Sequence, residues 1–282
     1  MLSVANFRDV VHFMSVHKEE MMLRRFIYLV GLLPLVFVAL ASMPQASAGD
    51  KVQAIHSDFD YDSNPGELSR VLDAQKKAVA DDKLLLVVLG TTWCSDSQAL
   101  ARQLSTPKLH TALTERFEVV AADTGYFTAG FDIADYFKLP TYYGTPTVLM
   151  VEPSSGAVLN RIDFHEWMSA KEKSEEQYWD YFIRQSFSQT AEAELAPELK
   201  QELANYEQQQ AERIRNAYLT AGKLLKEYKE SGEPPSERFV EVWFELADYR
   251  NTVAQAVSEA IKTQNTDSLP QFPHKFVWEL EQ

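Results

Sequence analysis

The 282-residue sequence holds a single cysteine, Cys94, so no disulfide can form within the chain and its stability has to come from a buried core. Glycine is sparse, at 10 residues, and no Gly-rich phosphate loop occurs. Positive charge is short as well: 27 Lys and Arg against 41 Asp and Glu give a formal net charge of −14. That balance argues against nucleic acid or an anionic membrane surface as partner. His56, His110, His165 and His274 are scattered without metal-ligand spacing, so neither a metal nor a cofactor is expected. What the chain does have is apolar: 45% hydrophobic and 12% aromatic residues suffice for one large domain or two small ones.

Long apolar runs are also missing, with one exception at 26–41. Its 16 residues fall short of the roughly 20 that span a bilayer. Arg24-Arg25 precede it, and Pro44 and the small residues Ala46-Ser47-Ala48 follow. This is the layout of a secretory signal, with cleavage expected after Ala48. Met21 or Met22 is an alternative start, and no cysteine near the cleavage point offers a lipoprotein anchor. Residues 1–48 are thus an N-terminal extension and signal, and the remainder is expected to be periplasmic or secreted without stable membrane insertion. A reactive lone thiol there would be capped or cross-linked, so a buried, inert Cys94 is the plain alternative.

Residues 49–63 form a polar entry segment. Asp58, Asp60 and Asp62 alternate there, but Ser63 and Ser69 stand where a calcium loop needs glycine and glutamate, so solvation is expected. Asn64-Pro65-Gly66-Glu67 resembles a helix start, with Leu68, Val71 and Leu72 continuing at helical spacing up to Asp81-Asp82. The run 84–89, LLLVVL, predicts a strand covered on both faces. Trp93-Cys94-Ser95-Asp96-Ser97 follows, then a helix over 98–104, a strand over 117–121, a short helix near Ile133 and a strand over 147–151. A strand pairing with the last is predicted over 157–162 and a helix over 176–188. Beyond Ala191 only helical spacing remains, broken by Ser231-Gly232-Glu233-Pro234-Pro235, so an antiparallel helical hairpin is predicted.

This order, with two motifs, resembles the thioredoxin fold over roughly 64–190. Trp93-Cys94-Ser95-Asp96-Ser97 matches the family's Trp-Cys-x-x-Cys box with serine at the second cysteine, and Thr145-Pro146 matches its cis-proline loop. The resemblance implies an α/β, three-layer α/β/α domain over 64–190, and the helical spacing outside it adds a C-terminal α-helical hairpin extension over 191–282. The resemblance also assigns chemistry to Cys94, Ser97 and Trp93, and substrate contacts to Thr145, Pro146 and Tyr143. At a helix start, unpaired N–H groups and the helix dipole favour thiolate, the attacking form. If cis, Pro146 leaves the backbone of Thr145 free to pair with an extended peptide. Ser97 can hydrogen-bond a thiolate but cannot resolve a mixed disulfide, and Asp96 adds a like charge. Dithiol members also carry a buried acid where this chain has Val88, so the two-sulfur cycle is expected to be absent.

Two functions follow. In the first, Cys94 exchanges disulfides as a monothiol with cysteine-containing exported proteins or a small thiol such as glutathione, and an external thiol releases it. In the second, the fold is a redox-inactive binding or chaperone-like module using the proline groove and the hairpin. A Cys94–His110 hydrolase pair has no accompanying signature.

Overall fold

A computed structural model describes residues 54–61, 68–187 and 195–280. The signal segment with its cleavage point, the helix start at Asn64-Pro65, and Asp62 and Ser63 of the acidic run lie outside the described residues. Four strands form one sheet in the order β2-β1-β3-β4. The apolar run is β1 (Leu84–Gly90), in the interior of the sheet. β2 (Phe117–Asp123) pairs with it in parallel, β3 (Thr147–Glu152) antiparallel, and β4 (Ala157–Val158) joins β3 antiparallel. Leu85, Val87, Leu89, Leu149 and Val151 enter one core, while Leu86, Val88, Val148 and Met150 enter another. Successive side chains of a strand point to opposite faces, so a strand buried on both needs apolar residues throughout.

The first core is closed by α1 (Leu68–Ala80) through Val71 and Ala78, and by α4 (Phe131–Tyr136) through Ile133 and Ala134. The second is closed by α2 (Ser95–Leu104) and α3 (Pro107–Arg116). A 3-10 stretch (Phe164–Glu172), α5 (Glu175–Trp179) and a π turn (Asp180–Arg184) add Trp167, Tyr178 and Phe182 to that second core. No helix is expected from the sequence at α3, whose start is set by Pro107 in the first turn and whose Leu109 and Leu113 are buried. The strand expected over 157–162 is only two residues long. Past it the Asn160 side chain replaces the ladder, with Oδ1 accepting from Met150 N and Nδ2 donating to Val148 O, both at 2.8 Å.

The described part of the entry segment is not simply solvated. Phe59 is 0% and Tyr61 3% exposed, both in the second core. Aromatic rings alternate with the aspartates there, so one side of the segment is apolar although its charge count reads as solvent-facing.

The C-terminal helices are α6 (Pro197–Ser231) and α7 (Glu237–Thr263). Gly232 turns between them at φ 71°, and Ser236 caps α7 by accepting from Phe239 N at 3.1 Å. Ile214, Ala217, Ala221 and Leu225 of α6, with Val242, Leu246, Tyr249, Val253 and Val257 of α7, share the first core with β1 and β3. Among the described residues no helix is long and apolar enough to cross a membrane.

Candidate functional site

Cys94 is the N-cap of α2, in extended conformation (φ −88°, ψ 120°), and its carbonyl accepts the first helical hydrogen bond from Gln98 N at 3.0 Å. Its thiol is partly buried and donates to Thr145 O at 3.3 Å. The Thr145–Pro146 peptide is cis. The two motifs, 51 residues apart, therefore meet at the sulfur. β1 and β3 bring this about: Leu89 pairs with Thr147, so the chain leaving β1 and the chain entering β3 emerge side by side.

Trp93 is fixed by the loop after β2. Its Nε1 donates to Gly125 O at 2.7 Å, its ring stacks on Tyr126 at 6.3 Å, and it meets Phe127 edge-on at 5.2 Å. Asp123 Oδ1 accepts from Gly125 N at 3.0 Å, and Thr124 N donates to Gly90 O at 2.9 Å, tying this loop to the end of β1.

Ser97 is 0% exposed, and its Oγ has no hydrogen-bond partner; it does not bond the Cys94 sulfur. Val88 is fully buried in β1, with no acid in its place. Asp96 accepts from Lys171 N at 3.0 Å, and burial raises its carboxyl pKa above the ordinary value. The carboxylate beside the box is therefore tied to the 3-10 stretch and partly shielded from water.

Thr145, Pro146 and Tyr143 do not line an open groove. All three are buried, Thr145 at 6% and Tyr143 at 3% exposure. Tyr143 OH donates to Glu207 Oε1 at 3.2 Å, and Glu207 is itself held by Arg161 Nη2 at 2.8 and 2.7 Å. Met168 and Arg250 pack over Gly144: a Cβ there would stand 2.5 Å from Met168 Sδ and 3.3 Å from the Arg250 guanidinium. The resemblance concerns only the sheet domain, so it carried no signal of the helices that cover this loop.

The hairpin also reaches the box. Trp243 of α7 meets Trp93 at 6.1 Å. Tyr218 of α6 stacks on Phe127 at 4.3 Å and donates to Tyr142 O at 3.2 Å. Lys229, near the C-terminus of α6, is half withdrawn from water; burial lowers its ammonium pKa while the charge interaction with Cys94 raises it. Trp243, Lys229 and Arg250 carry no sequence signal of a place beside the box. Their places around Trp93, Cys94 and Gly144 depend on how α6 and α7 dock.

Residues 68–153 match a family described as thioredoxin-like. No curated protein matches the chain. Among solved structures the chain is similar to a disulphide isomerase from Xylella fastidiosa Temecula1, with 27% identity over 45% of this chain and 96% of that one and a TM-score of 0.41. The matched residues hold the strands β1, β2 and β3, the cysteine at the start of α2 and the proline loop facing it, and by these features the chain carries a thioredoxin-like domain.

Proposed function

We propose that the protein is an exported monothiol thiol–disulfide exchanger acting through Cys94. The observation that carries this reading is Cys94 itself, a partly buried residue at a helix start with its sulfur 3.3 Å from Thr145 O. The Cys94 thiolate attacks one sulfur of a disulfide RSSR, forming Cys94–S–SR and expelling RS⁻. An external thiolate then attacks the outer sulfur of the adduct, restoring the Cys94 thiolate and carrying R away as a new disulfide. Ser97 has no sulfur with which to perform that second step. The buried loop at Thr145 favours a small disulfide such as oxidised glutathione over an extended exported polypeptide, which would need Arg250 and Met168 to move aside.

Intact mass spectrometry of native protein with oxidised glutathione tests this. One adduct on Cys94 should form and persist until reduced glutathione is added, and Cys94→Ala should form none. Ser97→Cys should close an internal disulfide and discharge the adduct faster than wild type, but only partly, because Val88 provides no base. An adduct that forms only after unfolding would overturn the exchange reading. The second reading, a binding module, would then stand. It draws support from the packing of Trp243 on Trp93.

A further inference from the structure

Beside the second core, which holds Phe59, Leu109 and Leu113 and none of the hairpin's buried residues, the fold brings together three potential metal ligands from two distant stretches of sequence. His56 and Asp58 flank and enter the 3-10 turn Ser57–Phe59, and His110 lies on α3. One ring nitrogen of each histidine and a carboxylate oxygen lie within 4.8 Å of one another. His110 Nε2 is 3.0 Å, and His56 Nδ1 3.2 Å, from the same atom, Asp58 Oδ2. Donors held at 2.0–2.2 Å by one tetrahedral ion stand roughly 3.3–3.6 Å apart, so the observed spacing needs little adjustment.

The hydrogen bonding points the same way. His56 Nδ1 also accepts from Asp58 N at 3.3 Å, which requires a lone pair on that nitrogen, yet the carboxylate oxygen faces it. Protonating Nδ1 would satisfy the oxygen but lose the backbone contact. The two imidazole rings lie with their centroids 3.9 Å apart. A cation there would also take the Nδ1 lone pair, but unlike a proton it is shared with His110 Nε2 and the Asp58 carboxylate, so one positive centre joins all three groups.

The ligands rest on fixed supports, as an affine site requires. His56 N donates to Ser105 Oγ at 2.8 Å, and that hydroxyl donates to Ala101 O of α2 at 2.6 Å. Phe59, fully buried, presents its ring edge-on to His110 at 6.3 Å. The His56 side chain is 45% exposed and that of Asp58 34%, leaving further coordination positions to water.

We infer that His56, Asp58 and His110 form a binding site for a first-row divalent cation of the zinc type, which clamps the entry segment onto α3. Two imidazoles and a carboxylate suit such an ion. The clamp does here what a disulfide does elsewhere, joining residues 52 apart in a chain with one cysteine.

The test uses the full chain in a Cys94→Ala background, so that the thiol cannot take the metal. Calorimetric titration with Zn²⁺ should give one saturable site, and Co²⁺ should give a visible spectrum without a sulfur charge-transfer band. Zinc loading should raise the unfolding temperature by several degrees, reversed by EDTA. Asp58→Asn and His110→Ala should each weaken Zn²⁺ binding by at least about 10–100-fold, the loss that changes to a ligand's outer-shell partners already cause, and abolish that thermal rise. If His110→Ala does not fold, Asp58→Asn, at a partly exposed position, decides alone. Absence of saturable binding, or binding undiminished in Asp58→Asn, would overturn the proposal; the latter would assign the metal to other donors such as His12 and His17.

Discussion

Asp96 holds two interactions of opposite sign. Its carboxylate accepts from the Lys171 backbone and suits the positive end of α2, yet burial raises its pKa above the usual carboxylate value. The folded protein therefore binds this proton more readily than the unfolded chain does. The residue contributes most to stability at acidic pH, and that contribution is lost as pH rises through the raised value. Asp96→Asn keeps an acceptor for Lys171 N–H and has no charge to desolvate. At pH 7 it should be more stable than wild type by about 0.5 kcal/mol or less, because the side chain is only partly shielded from solvent. The difference should shrink toward zero below about pH 4. Urea melts of both proteins at the two pH values check this, and a less stable variant at pH 7 would show that the charge-assisted bond outweighs desolvation. The same variant should react faster with oxidised glutathione, an anionic disulfide, since a repelling charge beside Cys94 is gone.

At the scale of elements, the docking of α6 turns on Gly222. A Cβ at this position would lie 2.0 Å from the carbonyl oxygen of Tyr126, in the loop that holds Trp93. In an ordinary helix interior Gly→Ala stabilises by about 0.8–1 kcal/mol. Here the backbone oxygen cannot yield without moving the loop, so Gly222→Ala should instead destabilise by about 1–3 kcal/mol. Thermal or urea unfolding gives the sign, and a gain in stability would mean that α6 does not approach so closely. How far these elements are legible in the sequence depends on how local their cause is. The run 84–89 predicts β1 because burial on both faces forces every residue to be apolar, and α6 and α7 follow from their apolar stripes. The facing of Cys94 and Thr145 could be read only through the resemblance of the two motifs to the thioredoxin family, because no local pattern says which strands pair. Glu207 on Tyr143, Arg250 over Gly144 and His110 on Asp58 could not, because each joins residues dozens apart through packing that no periodicity encodes.

Across the whole molecule, one buried ion pair joins the hairpin to the sheet domain beside the proline loop. Arg161, just after β4, and Glu207 of α6 have side chains 7% and 4% exposed, and Glu207 also accepts from Tyr143 OH two residues before Thr145. Removing one partner of such a pair leaves a charge stranded in the interior. Glu207→Ala should therefore destabilise the protein by about 3–5 kcal/mol. The double variant Arg161→Met/Glu207→Leu replaces both charges with apolar bulk and should recover most of that loss, since hydrophobic replacement of a whole buried pair is often neutral. The pair also bears on access to the sulfur. When Glu207 no longer anchors Tyr143, the loop carrying Thr145 and the helices over it should separate more often in the native state. Exchange between Cys94 and a disulfide-bonded unfolded protein should then speed up more than exchange with oxidised glutathione, the smaller disulfide, which needs less of the loop to move. The ratio of the two rates, measured below the melting temperature in wild type and in Glu207→Ala, reads this directly. An unchanged ratio alongside a lowered melting temperature would assign the pair to stability alone and leave access to Cys94 to other contacts of the hairpin.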